Sequence, residues 1–240
     1  MNRFFVDKDQ IIKDRIEIRG KDVKHIKDVL RLRKKDRIEV LSEGRIYISE
    51  IMDLDSDKVS VFILDSFMGE NEPPIDLLLF QGLAKGEKMD FIIQKCTEIG
   101  VKEIYPLITS RTVVKIKDVK KEQKKVERWR VVAEEAAKQS KRDIIPRIHN
   151  IIDFKRMVDI LKDEENIIIP YEMERESTLK DALKEAKGNR VSIIIGPEGG
   201  FDEKEIELIK GIGGKPVTLG PRILRTETAG ILTLSIVLYE

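Results

Sequence analysis

Apolar and polar residues alternate with period two along the first part of the chain. A period of two is typical of strands with one buried face. The alternating segments are R-I-E-I-R (15–19), D-R-I-E-V-L (36–41), R-I-Y-I-S-E-I (45–51) and K-V-S-V-F-I-L-D (58–65). Turn residues separate them, so this region is predicted to form a small β-barrel or sandwich. Helical spacing occurs at Lys21–Leu30, which places Val23, Ile26, Val29 and Leu30 on one face.

The pattern changes in the rest of the chain, where apolar runs without alternation are separated by helical stretches. Such runs favour strands buried on both faces, as in a parallel sheet covered by helices. The strand candidates are 75–81, 103–108, 166–170, 191–196 and 216–220. Met89–Ile99 has an apolar stripe and is followed by Gly100, a favourable residue for ending a helix. An α/β fold is therefore predicted for this part.

A stiff connection lies between the two patterns. The segment F-M-G-E-N-E-P-P (67–74) ends in two prolines, which interrupt regular structure. We therefore predict one domain at 1–70 and a second at 74–240.

Composition narrows the possible chemistry. Lys and Arg (45) nearly balance Asp and Glu (44), so an RNA-binding surface would have to come from local clusters of cations. One cysteine and two histidines argue against disulfides, Ser-His-Asp catalysis and a metal site. No apolar run approaches the ~18 residues of a membrane span. We expect a cytoplasmic protein without a metal or a membrane partner.

A glycine-rich turn follows the strand candidate at 191–196. The stretch V-S-I-I-I-G-P-E-G-G-F-D-E-K-E (191–205) matches neither common phosphate-binding motif. Glu198 would repel a pyrophosphate, so a positively charged cofactor without phosphate, such as S-adenosylmethionine (SAM), fits better. Asp202 and Glu205 have the spacing of a capping box. The alternative interpretation is a capped strand-to-helix turn that binds no ligand.

Two other strand ends resemble this arrangement. The stretch P-V-T-L-G-P-R-I-L-R-T-E-T-A-G (216–230) contains a glycine–proline turn and a polar crossing, and I-I-I-P-Y-E (167–172) ends in a proline turn. Ligands of open α/β sheets bind at the carboxyl ends of the strands. The loops are therefore predicted to form the walls of one pocket.

The motifs together resemble the RsmE family, SPOUT-class methyltransferases that act on N3 of a uridine in 16S ribosomal RNA. The resemblance runs nearly end to end. The matching segments are M-N-R-F-F-V (1–6), H-I-K-D-V-L-R-L-R (25–33), K-x(9)-K-C-T-E-I-G-V (85–101), A-A-K-Q-S-K-R (136–142), G-P-E-G-G-F (196–201) and L-G-P-R-I-L-R-T-E-T-A (219–229).

The resemblance implies a fold and a set of partners. The second domain would be a SPOUT-type α/β domain with a C-terminal deep trefoil knot whose loops bind SAM, and the first a small PUA-like β-barrel that holds RNA. The protein would be a homodimer acting on uridine 1498 of the small ribosomal subunit. The apolar segment 231–239 would suit a helix buried in the dimer or against the knot, although its β-branched residues also permit a strand.

Matching the motifs also implies site residues. Arg225 would stabilise negative charge on the uracil, and Glu198 or Glu227 could accept its proton. The alternatives are a salt bridge between Arg225 and Glu227, and glutamates that only brace their loops. The residues expected around SAM are Pro170, Tyr171, Gly196, Gly199, Gly200, Leu219, Gly220, Ile223, Leu224, Thr228 and Ala229.

Clustered cations mark candidate RNA contacts. We expect such contacts at Arg3, Arg31, Arg33, Lys34, Lys35 and Arg142. Alternatively, the cluster at 31–35 is only a solvated surface. Arg142 could likewise lie at a helix end that packs on the knot.

Two other functions remain open from the sequence. One is a SPOUT enzyme that methylates a ribose 2′-hydroxyl, and the other is a non-catalytic RNA-binding or ribosome-assembly protein. SAM binding would distinguish the second of these from an enzyme.

Overall fold

The computed structural model describes residues 1–113 and 119–240, and the chain forms two compact units. The first unit contains Met1–Glu72 together with Ala137–Ile145, and the second contains Pro73–Ala136 and Pro146–Glu240. The division predicted at residues 70 and 74 does not anticipate the return of 137–145 to the first unit.

The first unit is built on a six-stranded sheet. Its strands are β1 (Arg3–Phe5), β2 (Ile11–Ile12), β3 (Arg15–Arg19), β4 (Arg37–Ser42), β5 (Arg45–Leu54) and β6 (Lys58–Met68). They lie in the order β1-β4-β5-β6-β3-β2, antiparallel except for the parallel pair β1–β4. The four alternating segments form β3 to β6, and their inward residues, such as Ile16, Ile38 and Val59, are fully buried.

The helix predicted at 21–30 is only partly regular. It begins as α1 (Lys21–Lys24) and continues as a π-helical turn over His25–Val29. In that turn the amide of Leu30 donates to the carbonyl of His25, 2.9 Å away. The wider turn changes the angular position of later side chains. Ile26 is therefore buried while Val29 is 70% exposed, and the prediction that Val29 shares the buried face is wrong.

In the part of the second unit that the structure describes, there are seven strands and most of the helices. The strands are β7 (Asp76–Gly82), β8 (Glu103–Ile108), β9 (Arg147–Ile148), β10 (Ile152–Asp153), β11 (Ile167–Pro170), β12 (Arg190–Ile195) and β13 (Lys215–Val217). The helices are α2 (Lys88–Ile99), α3 (Val119–Gln139), α4 (Phe154–Leu161), α5 (Leu179–Lys184), α6 (Glu203–Gly211) and α7 (Thr226–Tyr239). The last residues of α3 belong to the first unit.

All strand pairs of this second sheet are parallel, as the continuous apolar runs predicted. The order is β10-β8-β7-β12-β11-β13, with β9 paired to β8. The five strand candidates form β7, β8, β11, β12 and β13. One core of the unit contains Phe80, Leu107, Ile167, Ile194 and Phe201. The trefoil knot stays a prediction.

The apolar C-terminal segment is a helix, which resolves the choice left open by its β-branched residues. Helix α7 lies against α2, β7 and β12, and its Leu234 and Val237 are buried. Within the residues that the structure describes, no helix has the length and apolar character needed to span a membrane.

Candidate functional site

A cavity of about 480 Å³ opens at the carboxyl ends of β11, β12 and β13. We call it the loop pocket, because the loops after these three strands form its walls. Its lining residues are Lys88, Pro170, Tyr171, Glu172, Arg175, Ile195, Gly196, Pro197, Glu198, Gly199, Gly200, Phe201, Thr218, Leu219, Gly220, Pro221, Arg222, Ile223, Leu224, Arg225, Thr226 and Ala229. Of the residues expected around SAM, Thr228 alone does not line it.

The sheet explains why distant segments meet here. Strand β11 lies between β12 and β13, so the loops that follow them leave the same edge side by side. The amide of Tyr171 donates to the carbonyl of Val217, 3.0 Å away, and joins two of these loops at their base. The pocket is thus a consequence of strand order.

The backbone of the loop after β12 requires a glycine at position 200. Gly200 has a φ of +68°, a left-handed conformation in which other residues are strained. A Cβ atom on Gly200 would also lie 2.6 Å from Oε1 of Glu172. A side chain at Gly82, the last residue of β7, would clash with the backbone of Pro197. The turn therefore packs directly on the neighbouring strand.

Thr226 connects the turn to the start of α7. Its hydroxyl donates to the carbonyl of Gly196 at 2.6 Å and accepts from Nε2 of Gln81 at 2.8 Å. Three segments that are distant in sequence are thereby fixed at the floor of the pocket. Neither Gln81 nor Thr226 was among the predicted site residues.

The predicted capping box at the start of α6 is confirmed. Oδ1 of Asp202 accepts from the amide of Lys204 at 3.1 Å, and Oε2 of Glu205 accepts from the amide of Asp202 at 2.9 Å. The second oxygen of Glu205 accepts from the amide of Ser110 at 2.8 Å. The turn is therefore a well-capped helix start that also lines a cavity.

Glu198 is held as an anion on the rim of the loop pocket. Its Oε1 accepts from the amide of Lys85 at 3.0 Å and from Nζ of Lys88 at 3.3 Å. Burial raises the pKa of this carboxyl, but the hydrogen bonds from the Lys85 amide, from its own amide and from Lys88 outweigh that effect and lower it below its usual value. A carboxylate stabilised in this way is a weak proton acceptor.

Glu227 has a different environment in the first turn of α7. Its Oε2 is buried, with Nζ of Lys88 at 3.5 Å as an ion-pair neighbour but with no hydrogen bond. It does not line the loop pocket. Lys88 therefore lies between the two glutamates, a position that the sequence argument missed. The sequence did contain a signal for Lys88. Two acidic residues, Glu198 and Glu227, were expected at one site, and two neighbouring carboxylates need a cation nearby.

Arg225 is exposed and lines the loop pocket. It precedes α7 with an extended backbone, and its carbonyl accepts from the amide of Ala229 at 2.9 Å. The alternative salt bridge to Glu227 does not form within the described residues, where Glu227 lies beside Lys88 instead. The pocket contains two further guanidiniums that were not predicted, those of Arg175 and Arg222.

The candidate RNA contacts in the first unit divide into two groups. Arg31, Arg33, Lys34 and Lys35 are exposed, and Lys34 forms a surface ion pair with Asp53 at 3.0 Å. Arg3 and Arg142 are instead largely buried and engaged within the unit.

The buried pair lies in a network of charges. Arg3 contacts Glu39 at 2.6 Å and Asp143 at 3.3 Å. Arg142 contacts Glu72 at 2.5 Å, and the carboxylate of Glu72 also accepts from the amide of Asp143 at 2.8 Å. These contacts attach the segment 137–145 to the first unit. An RNA contact of Arg3 or Arg142 stays a prediction, and it would require these partners to be exchanged.

Comparison with known proteins agrees with this architecture. A family profile described as an RNA methyltransferase domain matches residues 71–238, and one described as an RNA methyltransferase PUA domain matches residues 18–64. The chain is 36% identical to ribosomal RNA small subunit methyltransferase E of Bacillus subtilis, over 100% of this chain and 97% of the relative. It is 35% identical to the Aquifex aeolicus protein of the same name, over 92% and 93%.

Solved structures give the same result. The Neisseria gonorrhoeae ribosomal RNA small subunit methyltransferase E bound to S-adenosyl methionine superposes with a TM-score of 0.86 at 29% identity, covering 98% of this chain and 96% of the other. A putative Legionella pneumophila methyltransferase in complex with SAM gives 0.86 at 32% identity, with the same coverage. The fold is thus of the SPOUT type, preceded by a PUA domain. The chain belongs to the ribosomal RNA small subunit methyltransferase E family, the RsmE family that its motifs resemble.

Proposed function

We propose that this protein transfers the methyl group of SAM to N3 of a uridine in the 16S ribosomal RNA of the small subunit, at uridine 1498 by family resemblance. The observation that carries the proposal is the loop pocket, in which three strand-end loops, Arg225 and Glu198 meet at one edge of a parallel sheet. Its cytoplasmic location would follow from that of its substrate.

The loop pocket has walls that fit SAM. Leu219, Ile223, Leu224 and Ala229 supply apolar surface for an adenosine, and Gly220 leaves open space where a side chain would project. Glu172 is a carboxylate of the lining that could face the positive charge of the ligand, while Glu198 is already paired with Lys88. When bound, SAM would supply an electrophilic methyl group and a neutral leaving group.

The residues around the pocket can perform the remaining chemistry. Uracil loses its N3 proton during methylation, and negative charge develops on O2 and O4. The exposed guanidinium of Arg225 is suited to stabilise that charge, because it lines the pocket and no carboxylate of the described residues neutralises it. Such electrostatic stabilisation, together with positioning, is the main catalytic contribution that we assign to the chain.

The two glutamates then have different roles. Glu198 has a lowered pKa and already accepts two hydrogen bonds, so we assign it to bracing the loop against α2. Glu227 has one oxygen without a hydrogen bond among the described residues, but this oxygen is buried and Glu227 does not line the loop pocket, so it can accept the proton only if its side chain turns toward the pocket. Lys88 forms an ion pair with each of the two glutamates, at 3.3 Å from Glu198 and 3.5 Å from Glu227.

The RNA and the second subunit are also part of the proposal. The exposed cations at 31–35 in the PUA domain would bind phosphates of the ribosomal RNA. A homodimer is proposed from the family resemblance, with α7 as the helix that carries apolar surface.

The test is methyl transfer from radiolabelled SAM to small subunits that lack the modification, and to naked 16S RNA, with the labelled nucleoside identified by mass spectrometry. We expect N3-methyluridine at one site. Label on a ribose would keep the fold and overturn the reaction. Absence of SAM binding would favour the assembly-factor alternative.

Glycine variants provide a matched control for this test. Gly200→Ala introduces a methyl group at a left-handed position beside Glu172, and we expect it to weaken SAM binding. Gly211→Ala, at a position in α6 with open space around it, should bind SAM like the wild type. Equal SAM affinity of the two variants would argue against the loop pocket as the cofactor site.

A further inference from the structure

The loop pocket carries an excess of positive charge. Among the described residues that line it, three guanidiniums and one ammonium stand against two carboxylates. These charges belong to Arg175, Arg222, Arg225, Lys88, Glu172 and Glu198. Lys88 and Glu198 form an ion pair at 3.3 Å and largely cancel each other. Three guanidiniums therefore remain beside one carboxylate.

SAM does not neutralise this excess. The cofactor carries a sulfonium and an ammonium but only one carboxylate, so its own net charge is positive. Because like charges repel, bound SAM would add to the positive charge of the pocket. Arg225 is assigned above to the negative charge that develops on the uracil. Arg175 and Arg222 have no part in the function proposed so far.

Arg175 lies on the loop after β11, where the backbone is fixed and the side chain is exposed. Oε1 of Glu174 accepts from the amides of Arg175, Glu176 and Ser177, at 3.0, 2.9 and 3.1 Å. The carboxylate of Glu174 therefore closes a turn of the backbone. The guanidinium of Arg175 forms no ion pair within the part of the chain that the structure describes.

Arg222 lies on the loop after β13, which adjoins the loop of Arg175. The amide of Thr218 donates to the carbonyl of Ser177 at 2.8 Å and joins the two loops, while the amide of Gly220 donates to Oγ1 of Thr218 at 3.2 Å. Arg222 is exposed, and among the described residues its guanidinium also lacks an ion-pair partner. Two ordered loops thus present two unpaired guanidiniums to one pocket.

Phosphate groups are the ligands that fit such a pair. A guanidinium is always charged and donates two parallel hydrogen bonds to a phosphate. A uridine that enters the loop pocket as part of an RNA strand brings a phosphate on each side of its ribose. These phosphates supply the negative charge that SAM lacks.

We infer that Arg175 and Arg222 bind the phosphates next to the uridine that is methylated, and thereby hold the RNA strand while its base occupies the loop pocket. The inference rests on the proposed function, because it names a further contact of the same RNA. Arg175 and Arg222 are positioning residues in this assignment, whereas Arg225 touches the reacting base. Because every nucleotide has a phosphate, the pair contributes affinity and register and does not select the base.

The salt dependence of RNA binding tests the pair without any methyl transfer. Kd for naked 16S RNA is measured at several salt concentrations, in the absence of SAM, with the full-length protein and with Arg175→Gln and Arg222→Gln. Each variant should reduce the slope of log Kd against log salt by about 1, as expected for one lost phosphate contact, and the double variant by about 2. SAM affinity, measured by equilibrium dialysis, should not fall, because each variant removes a charge of the same sign as that of the cofactor.

Two further variants serve as controls. Arg156→Gln removes the same group from an exposed position on α4 that does not line the loop pocket, and its salt slope should equal that of the wild type. Arg222→Lys keeps the charge but loses the planar fork of donors, so we expect an unchanged slope together with weaker binding. Because all these side chains are exposed, each variant should unfold in urea like the wild type.

The outcomes separate this inference from the proposed function. A slope for either Arg175→Gln or Arg222→Gln equal to that of Arg156→Gln would overturn the phosphate pair, whether or not the same preparations transfer methyl groups. A loss of SAM affinity in either variant would also overturn it, because that guanidinium would then hold the carboxylate of the cofactor. Reduced slopes with undiminished SAM affinity would support the pair. If that pattern occurred without formation of N3-methyluridine, the phosphate contacts would stand and the proposed reaction would fall.

Discussion

Arg142 and Arg225 are two arginines from motif-matched segments with opposite environments. Arg142 is 3% exposed and is bound to Glu72 within the first unit. Arg225 is exposed on the loop pocket of the second unit, with no carboxylate partner among the residues that the structure describes. A matched motif thus identifies a residue that is typical of the family, but it does not show whether that residue holds the fold or takes part in the chemistry. The partners of the guanidinium distinguish a group that holds the fold from one available for chemistry.

The largest effect is expected from Arg142→Ala. Removing one member of a buried ion pair leaves the other charge uncompensated, which costs about 3–5 kcal/mol. Glu72 is partly exposed, so we expect about 3 kcal/mol, measured as the loss in free energy of unfolding in urea. Lys141→Gln, at the exposed neighbouring position, should change stability little. Equal stability of the two variants would contradict the structural role of Arg142.

Arg225→Ala should have the opposite profile. Loss of one group that stabilises developing charge costs about 10²–10³ in kcat. We expect a loss of this order in single-turnover methyl transfer, with unchanged unfolding free energy and SAM affinity. Arg225→Lys should restore only part of the rate, because an ammonium lacks the planar fork of donors. If Arg225→Ala lowered the free energy of unfolding and left the rate of methyl transfer unchanged, Arg225 would have a structural role like that of Arg142.

A smaller effect is expected at the exposed cations of the PUA domain. Arg33→Gln should weaken binding to 16S RNA and reduce the slope of log Kd against log salt by about 1. Lys8→Gln serves as the control, since Lys8 is 78% exposed in the same unit but lies outside the 31–35 cluster. Identical salt slopes for the two variants would remove this cluster from the RNA interface.

The smallest effect concerns a pair whose charge responds to pH. His149 Nε2 lies 2.6 Å from Oε2 of Glu103. Burial lowers the pKa of His149 despite the opposing effect of Glu103. Burial raises the pKa of Glu103, but hydrogen bonds from His149 and Tyr105 outweigh it and lower that pKa.

Both shifts have the same consequence for stability. The folded state binds fewer protons than the unfolded state, so its stability falls as the pH drops below the ordinary values of 6.5 for His149 and 4.5 for Glu103. We expect a loss of about 1 kcal/mol or less between pH 7.5 and 5.5, measured by urea unfolding. His149→Gln should flatten this dependence. An unchanged slope in that variant would show that other groups cause it.

Elements with a strong local pattern were predictable from the sequence. The alternating strands β3 to β6, the buried parallel strands and the end of α2 at Gly100 all follow from residue periodicity and turn chemistry. The loop pocket was predictable because the carboxyl ends of parallel strands share an edge. Local physics therefore accounts for most of the architecture.

Three features could not be predicted from local sequence patterns. The contact of Arg3 with Asp143 joins residues 140 positions apart, which no periodic pattern reveals. The π-helical turn at His25–Val29 depends on packing in the finished unit. Thr228 shares a motif with Ala229 but lies on a different side of α7, where helical geometry turns it away from the pocket that Ala229 lines.

The return of residues 137–145 to the first unit has a consequence for how this protein is made. During synthesis the sheet of strands β1 to β6 emerges early, but Glu72 and Arg3 acquire Arg142 and Asp143 only after the ribosome has translated 71 further residues, from 73 to 143. The first unit therefore stays incomplete while the first half of its neighbour is produced. A fragment ending at residue 72 would lack the contacts of Asp143 with Arg3 and of Arg142 with Glu72, and it would be a poor substitute for the unit in RNA-binding work.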